Sequence, residues 1–497
     1  MFHSDIPTIR TLRRVCGRAV LAISLLGQLI QMPAYADNTN LPDLGDESLA
    51  VISPAQERKL GEDFMRQARR TLAFEDDPEL NQYIQSLGQK LASHSDEPQQ
   101  DFRFFIIEDP TINAFAVPGG FIFVHTGLIQ ATQSEGELAS VLAHEISHIT
   151  QRHIPRMIVE SQHTTLPAMA ALLAGILLAG SGHQGGEAAI ALTSATVAQR
   201  QLTFTREFEE EADRVGMRTL ARSGFDPRAM PAFFERMQNL NRANETNLPE
   251  FLRDHPVTTN RIADALNRAR EYVQQYHYHP TPDSIEYEHF RAKIQALAPG
   301  DPNEIARGFK DNLAAGKYRN VDAERYGYVV ALLRARQLPT ARAEIQKLLE
   351  RHPNDTFYHV QQAEIEMAAQ NYKQALSLYA AAYAKTPSNT ALMRYYATAL
   401  LETEHFSLAK NILKSALRLR PDDPALYKMM AEAAGSTGAQ YEAHKALAEH
   451  YYLNGNPQAA IEQLQLASRY AKDNFYLQSS VEARISAIKD EIAASKK

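Results

Sequence analysis

The chain has 497 residues, of which 44% are hydrophobic and 22% charged, as in a globular protein rather than a disordered or fibrous one. This length predicts about two to four domains. The formal charge of −7 provides no broad basic surface to neutralise phosphates, so we expect no nucleic-acid partner. The single cysteine, Cys16, excludes a disulfide framework, a thiolate zinc site and an iron–sulfur cluster. Any metal must therefore be bound by histidine and carboxylate side chains.

Residues 1–36 have the pattern of a cleavable signal peptide. Four arginines precede the apolar run 19–30, and residues 34–36 read Ala-Tyr-Ala, which is a small-residue cleavage site. The apolar run is shorter than the about 20 residues that span a bilayer, which disfavours a membrane anchor. We predict cleavage after Ala36 and export, which leaves a chain with a formal charge of −10 and no cysteine.

A helical stretch and two strands are predicted to follow. Apolar residues at helical spacing predict helix from about 54 to 92. The strand-like runs 102–107 and 121–124 are separated by a segment that ends in Pro118-Gly119-Gly120, which is a turn signal. A proline beside a strand favours the edge of a sheet, so we expect an edge strand that is available for pairing.

Two further helices are predicted at 135–153 and 206–220, with a long insertion between them. The insertion contains a 15-residue apolar run, 166–180, which begins with Leu166 and ends with Gly180. This run is too short for a full membrane span. Periodicity leaves three alternatives open: a buried core helix, a hairpin in peripheral contact with a membrane, or a lid that offers apolar contacts to unfolded clients.

The C-terminal part repeats itself with a period of 34 residues. Three columns share this spacing: Pro353, Pro387 and Pro421; Ala363, Ala397 and Ala431; Ala375, Ala409 and Ala443. A 34-residue helix-turn-helix unit with small residues at the helix crossing and proline after its second helix is typical of the tetratricopeptide repeat. We predict such an array over 303–497, preceded by a linker at 277–302. Arrays of this kind form a solenoid with a concave binding face.

The first helix after the strands contains His144-Glu145-Ile146-Ser147-His148. The four-residue spacing puts both imidazoles on one face, where they can share a zinc ion, and Glu145 can reach a water on the metal. Catalytic zinc needs a third protein ligand. In the H-E-x-x-H-x-x-G-x-x-H pattern the third histidine lies six residues after the second, whereas His153 lies five residues after His148. Gln151 occupies the glycine position of that pattern. We therefore predict that His153 is a helix-surface residue.

The acidic helix supplies better candidates for the third ligand. Five carboxylates lie between Glu207 and Asp213, a pattern that by itself also fits a solvated acidic face. Glu209 and Asp213 are four residues apart and point the same way. One could bind the metal while the other accepts the N–H of a liganding histidine. Ala212, on the same turn, would allow this helix to approach the histidine helix closely.

Together these motifs resemble the gluzincin metallopeptidases related to HtpX and the CAAX-prenyl endopeptidases. The resemblance rests on the sequences of 144–148, 206–216 and 113–128. With the signal peptide and the repeats, the whole chain resembles the periplasmic BepA (YfgC) type of this family, which acts in outer-membrane protein assembly and quality control. The resemblance implies a mostly α fold with a small β-sheet: an HExxH metallopeptidase domain over 37–276, followed by an α-solenoid of tetratricopeptide repeats.

The resemblance also implies one Zn²⁺ per chain, bound by His144, His148 and Glu209, with Asp213 behind a liganding histidine. Glu145 would take the water proton as general base and pass it to the departing amine. The segment 113–128 would supply the strand on which an extended peptide pairs through main-chain bonds.

His255, which precedes Pro256, has three interpretations. A lone histidine before proline fits a loop-capping or surface residue, because the residue before proline is held extended. It could instead donate a hydrogen bond to an anionic tetrahedral intermediate. It could also act as a latch, which we define as an additional zinc ligand that excludes water in a resting state.

The predicted function is zinc-dependent endoproteolysis of misassembled envelope proteins, combined with chaperone activity in outer-membrane protein assembly. The repeats would bind unfolded or misassembled outer-membrane proteins, or the outer-membrane assembly machinery. The alternative is a chaperone or adaptor whose zinc site is largely latent. A pseudoenzyme is expected to lack Glu145 or a ligand, so the complete set of residues favours an enzyme. The predicted export signal locates this enzyme in the periplasm.

Overall fold

A computed structural model describes residues 52–160, 206–243, 249–279 and 282–494. The signal peptide 1–36 and the apolar run 166–180 lie outside the described residues and stay predictions. Among the helices that the structure describes, none has the length and apolar character needed to cross a membrane.

Two helices open the described chain, α1 (Pro54–Thr71) and α2 (Pro78–Ala92). The sequence predicted one helical stretch here, but each helix has its own start signal. Ser53 and Gln56 form a capping box at α1, and the Asp77 side chain accepts from two backbone N–H groups at the start of α2. Phe74, between the helices, forms an isolated bridge with Ile107 instead of continuing either one.

The small sheet has three strands, β1 (Arg103–Ile107), β2 (Ala114–Val117) and β3 (Phe121–His125). Their order is β1-β3-β2, with β1 parallel and β2 antiparallel to β3. β3 is therefore the buried central strand, while β2 lies at an edge of the described sheet. The turn between them needs glycine, because Gly120 has φ +95° and an added Cβ would lie 2.2 Å from the Asp101 carbonyl oxygen.

Seven helices follow the sheet in the described residues up to Gln275. They are α3 (Thr126–Ala131), α4 (Glu135–Thr150), α5 (His153–Glu160), α6 (Arg206–Arg222), α7 (Ala229–Ala243), α8 (Glu250–Asp254) and α9 (Thr259–Gln275). The α4 helix is buried along almost its whole length, and α2, α6 and α7 pack against it. It is the central helix of this part of the molecule.

The range 277–302, predicted as a linker, contains a packed helix, α10 (Ile285–Leu297). Tyr287 and Phe290 belong to the core that surrounds α4, whereas Ala292 and Ala296 belong to the first core of the repeats. The linker prediction is wrong for this helix, because its two faces bury apolar side chains against two different cores. Residues Ser48–Lys497 form one compact unit.

Paired helices follow, as the 34-residue period predicts. They are α11 (Pro302–Ala315), α12 (Val321–Arg334), α13 (Leu338–Arg351), α14 (Thr356–Ala368), α15 (Tyr372–Lys385), α16 (Thr390–Glu402), α17 (Phe406–Leu419), α18 (Pro424–Ser436), α19 (Gln440–Leu453), α20 (Pro457–Arg469) and α21 (Phe475–Ala494). The repeated alanines are buried where the helices cross. The turns share a left-handed residue every 34 positions, at Arg336, Gln370, Glu404 and Gly438.

The repeats pack directly on the residues that precede them. Lys293 on α10 is buried, and its Nζ lies 2.6 Å from Glu79 Oε2 and 3.0 Å from Asp77 Oδ2, both at the start of α2. Tyr395 on α16 donates to Asp77 at 2.8 Å, and Tyr326 on α12 donates to Glu79. The first helices of two repeats therefore contact the sheet-containing part of the chain through buried polar groups.

Candidate metal centre and active site

Helix α4 brings the two motif histidines together. Ser134 caps its first turn by accepting from the Glu137 backbone N–H. His144 and His148 lie one turn apart, are buried, and have their Nε2 atoms 3.0 Å from each other. Two ring nitrogens that face one another at this distance suit a shared metal ion.

Gly216 allows helix α6 to approach α4 closely. A Cβ added to Gly216 would lie 3.0 Å from both the Ala143 carbonyl oxygen and the His144 backbone nitrogen. Ala212, on the preceding turn, is also fully buried, as the close approach requires. Small residues on α6 thus allow its carboxylates to reach the imidazoles of α4.

The structure separates the carboxylates of the acidic helix by burial. Glu209 is 1% exposed, and its oxygens lie 3.5 Å from His144 Nε2 and 3.4 Å from His148 Nε2. Asp213 Oδ1 lies 3.0 Å from His144 Nδ1, on the opposite side of that ring. Glu210 is exposed and pairs with Arg206. This arrangement fits a ligand role for Glu209 and an acceptor role for Asp213.

His255 ends helix α8 and points into the same group. Its Nδ1 lies 2.9 Å from Glu209 Oε1 and 3.3 Å from His144 Nε2, and its Nε2 lies 3.5 Å from Glu145 Oε1. The ring packs beside Phe251 and is 1% exposed. The interpretation as a surface residue is therefore wrong, because the apolar and ionic contacts of His255 bury it among the other site residues.

Arg261 is a site residue that the sequence did not reveal. It lies on α9, is 2% exposed, and donates from Nε and Nη2 to the two oxygens of Asp213 at 2.7 and 2.8 Å. Its Nη1 lies 2.8 Å from Glu209 Oε2. Arg261 thus holds both carboxylates of α6 that face the histidines. Its only local signal is an arginine on a helix, which is ordinarily a surface feature.

His153 is buried as well, so its predicted surface position is wrong. The α4 helix ends at Thr150, and Arg152 adopts a left-handed conformation with φ 54°. This break turns the chain back, so that His153 Nδ1 lies 2.9 Å from His148 Nδ1. A continuous helix would have placed His153 away from the metal-facing side.

The four inward-facing residues could bind one metal ion. His144, His148, Glu209 and His255 each offer a ligand atom, and these atoms all lie within 4.8 Å of one another. Within the described residues, neither buried oxygen of Glu145 accepts a hydrogen bond. Imidazole nitrogens with one carboxylate oxygen are ligands that zinc accepts, and a free carboxylate beside them suits proton transfer. The residues therefore fit the metal that the sequence predicted.

Comparison with known proteins places this geometry in a family. Residues 78–269 match Peptidase family M48, and residues 366–433 match the tetratricopeptide repeat. The beta-barrel assembly-enhancing protease of Escherichia coli (strain K12) is 33% identical over 477 residues, which cover 96% of this chain and 96% of that protein. The chain belongs to the beta-barrel assembly-enhancing proteases of peptidase family M48.

Other relatives agree with this assignment. The beta-barrel assembly-enhancing protease of Yersinia pestis is 33% identical over 445 residues, or 90% of each chain. The mitochondrial metalloendopeptidase OMA1 of Danio rerio is 28% identical over 237 residues, which cover 44% of this chain and 48% of that protein. The chain is thus a metalloendopeptidase with tetratricopeptide repeats.

Burial and charge pairing give the site residues of this family member distinct protonation behaviour. Burial alone would lower the pKa of His144, but hydrogen bonds and charges from Asp213 and Glu209 outweigh it and raise that pKa to about 10. Burial lowers the pKa of His148 well below its usual value, and the charge of His144 adds to the effect. Burial raises the pKa of Glu145, which strengthens this carboxylate as a base.

The two carboxylates of α6 behave in the opposite way to Glu145. Burial would raise the pKa of Glu209, but the charges of His255 and Arg261 hold it well below its usual value. Arg261 likewise outweighs burial and lowers the pKa of Asp213. The site therefore keeps Glu209 and Asp213 ionised and makes Glu145 the better proton acceptor.

Proposed function

We propose that this protein is a zinc-dependent endopeptidase of the periplasm that degrades unfolded or misassembled outer-membrane proteins and also acts as a chaperone in their assembly. The observation that carries the proposal is the buried cluster of His144, His148 and Glu209, with Glu145 on the same helical turn as the histidines. The bacterial relatives are beta-barrel assembly-enhancing proteases, which supports beta-barrel proteins as clients.

In this proposal His144, His148 and Glu209 hold the zinc ion. Zinc, when bound, is a Lewis acid that polarises a carbonyl oxygen and lowers the pKa of a coordinated water. Glu145 accepts the proton of the attacking water and passes it to the departing amine. Asp213 Oδ1, 3.0 Å from His144 Nδ1, would accept the N–H of that nitrogen once the metal is bound and so fix the ring. Arg261 keeps Asp213 and Glu209 in place and ionised.

The substrate is proposed to bind along strand β2, at the edge of the sheet. One side of β2 pairs with β3, and within the described residues no strand pairs with the other side of β2. An extended client could add a strand there through main-chain hydrogen bonds, which requires no particular client sequence. The segment 113–128 contains both strands, which supports this proposal.

The position of His255 supports the latch interpretation over the oxyanion one. Its Nδ1 lies beside Glu209 and His144, among the atoms that could bind the metal. A fourth protein ligand there would exclude the attacking water and keep the peptidase resting. This arrangement also favours the second candidate function, a chaperone or adaptor whose zinc site is largely latent.

The proposed function is tested with the full-length protein and its Glu145→Gln variant. Zinc content is measured by metal analysis, and degradation of an unfolded outer-membrane protein is followed by gel electrophoresis. We expect one zinc per chain in both proteins and degradation only by the wild type. Equal degradation by the two proteins would refute the peptidase mechanism.

The choice of carboxylate is tested by a matched pair on one helix. We expect Glu209→Ala to lose zinc, as His144→Ala and His148→Ala do, while Glu210→Ala keeps it, because Glu210 is exposed and pairs with Arg206. Full zinc content in Glu209→Ala, together with metal loss in Glu210→Ala, would show that the wrong carboxylate was chosen.

The role of His255 is tested by His255→Ala at constant zinc content. A latch predicts higher basal proteolysis, whereas an oxyanion donor predicts lost activity. An unchanged rate with zinc retained would leave His255 a structural residue.

Client binding is proposed to reside in the repeats, at 303–497, which could contact unfolded outer-membrane proteins or the assembly machinery. Since α10 and α2 pack against the repeats, deletion from 303 would strip buried groups such as Lys293 of their partners. The test is therefore site-specific cross-linking from exposed repeat positions in the full chain, with Leu408 and Tyr372 as examples. An absence of cross-linked envelope partners at all such positions would contradict the proposal. Peripheral membrane contact through 166–180 stays an alternative for that run.

A further inference from the structure

The two ring nitrogens of His148 have different surroundings. Its Nε2 lies 3.0 Å from His144 Nε2 and 3.4 Å from Glu209, within the group that faces the metal position. Its Nδ1 points away from that group and lies 2.9 Å from Nδ1 of His153. The two nitrogens therefore face two separate parts of the structure.

The positions of the protons follow from this geometry. A histidine that binds a metal through Nε2 carries its proton on Nδ1, and a hydrogen bond from that N–H fixes the tautomer and the ring. The Nδ1–H of His148 then donates to His153 Nδ1, which must carry no proton. The proton of His153 lies on Nε2, which is 3.3 Å from Glu211 Oε2 and can donate to it.

The surroundings hold His153 in this orientation. Its ring stacks on Phe208, with centroids 4.7 Å apart and planes at 18°. Arg156 donates to the same oxygen of Glu211 at 2.7 Å and lies over the Phe208 ring. His153 is thus fixed between an aromatic ring on one side and a paired carboxylate at its outer nitrogen.

The turn that delivers His153 is also held from outside. Arg152, with φ 54°, pairs with Glu57 Oε1 at 2.8 Å and donates to the Ile52 carbonyl oxygen at 2.8 Å. A left-handed conformation is unfavourable for a residue other than glycine and persists where the surroundings enforce it. The contacts with the start of α1 supply that constraint.

We propose that His153 is a positioning residue that fixes the tautomer and ring orientation of His148, with Glu211 as the acceptor behind it. The two histidines of the motif are then held by different means: His144 by the carboxylate of Asp213, and His148 by a second imidazole. The inference rests on the metal-binding role proposed above for His148.

The test compares zinc affinity in full-length variants, by competition with a chromophoric chelator. His153→Leu keeps the volume but removes the acceptor, and we expect about 10- to 100-fold weaker zinc binding. His153→Asn places an amide oxygen near the former Nδ1, and we expect it to recover most of the affinity. The absorption spectrum of the cobalt-substituted protein should change in the Leu variant and return toward the wild type in the Asn variant.

A second matched pair tests the outer acceptor. Glu211→Ala should weaken zinc binding, whereas Glu210→Ala, one residue away and exposed, should not. If His153→Leu does not fold, this pair decides, and wild-type affinity in Glu211→Ala overturns the inference.

The outcomes also separate the inference from the proposed function. A wild type that binds no zinc would remove the proposed metal site itself. A wild type that binds zinc, with equal affinity in the Leu and Asn variants, would reduce His153 to a packing role and overturn the inference alone.

Discussion

The metal site and the repeats bury their residues equally well but with opposite chemistry. His144, Glu145, Glu209 and Arg261 are at most 2% exposed, and all are polar or charged. In the repeats the buried positions that recur every 34 residues are small and apolar, such as Ala363 and Ala397. The packing of the repeats depends on small side chains at a fixed interval in the sequence. The metal site instead depends on polar pairs between residues that are distant in the sequence.

The largest effect is expected at Glu145, where the site has chemistry that the repeats lack. Glu145→Gln keeps the shape of the side chain but removes the base, so turnover should fall by about 10²- to 10⁴-fold. Zinc content should not change, because Glu145 is not among the residues that could bind the metal. Peptide cleavage assays and metal analysis check the two parts. The exposed Glu210→Gln is the control, and equal losses in both variants would contradict the prediction.

The next effect is expected at Arg261, which neutralises two buried carboxylates. Arg261→Met leaves Glu209 and Asp213 without their partner, and removal of one member of a buried ion pair costs about 3 to 5 kcal/mol. Urea unfolding of the zinc-free protein measures this loss. Arg270→Met, on the exposed side of the same helix, should change the free energy of unfolding little. A stable Arg261→Met variant with normal zinc affinity would show that the two carboxylates do not need this arginine.

A smaller effect is expected from overfilling a helix crossing in the repeats. Ala397→Leu inserts three carbon atoms into a fully buried contact and should destabilise the protein by about 1 to 3 kcal/mol. Zinc affinity should stay unchanged, because no residue of the metal site lies in the repeats. Thermal unfolding and chelator competition are the measurements, with the exposed Thr398→Leu as control. Weakened zinc binding in Ala397→Leu would break the contrast between the two regions.

The smallest effect is expected from glycine substitutions at left-handed residues, one in the repeats and one beside the metal site. Gln370 has φ 60° and an exposed side chain, so Gln370→Gly should stabilise the protein by up to about 1 kcal/mol. Arg152 has φ 54°, but its side chain pairs with Glu57, so Arg152→Gly should destabilise it. Thermal unfolding compares the signs of the two changes. Stabilisation by both glycines would mean that the Arg152 side chain contributes nothing.

Much of the architecture could be predicted because it follows local rules. The 34-residue spacing of alanine and proline predicts paired helices, and the spacing within 144–148 predicts two histidines on one face. The choice of Glu209 and Asp213 rests on their four-residue interval together with the resemblance to the metallopeptidase family, because Glu207 and Glu211 share that interval. The structure brings these four residues together as those rules require.

The remaining site residues could not be predicted, because their positions depend on tertiary contacts. Arg261 meets Asp213 across 48 residues of sequence, with no repeat or motif to link them. The buried position of His153 depends on the left-handed conformation of Arg152. Unlike a glycine, an arginine gives no sequence signal for that conformation. The linker prediction failed for a different reason. Ser284 caps α10, and the spacing of Tyr287, Phe290 and Ile294 is helical, so a signal was present but was outweighed by the preceding histidines and prolines.

Helix α10 has a consequence for folding cooperativity. It contributes Tyr287 and Phe290 to one core and Ala292 and Ala296 to another, so neither core can open fully without disturbing the other. Cooperative units of this kind open together rather than piece by piece. A partner that binds only the folded repeats then raises, by mass action, the free energy needed to open the peptidase part as well.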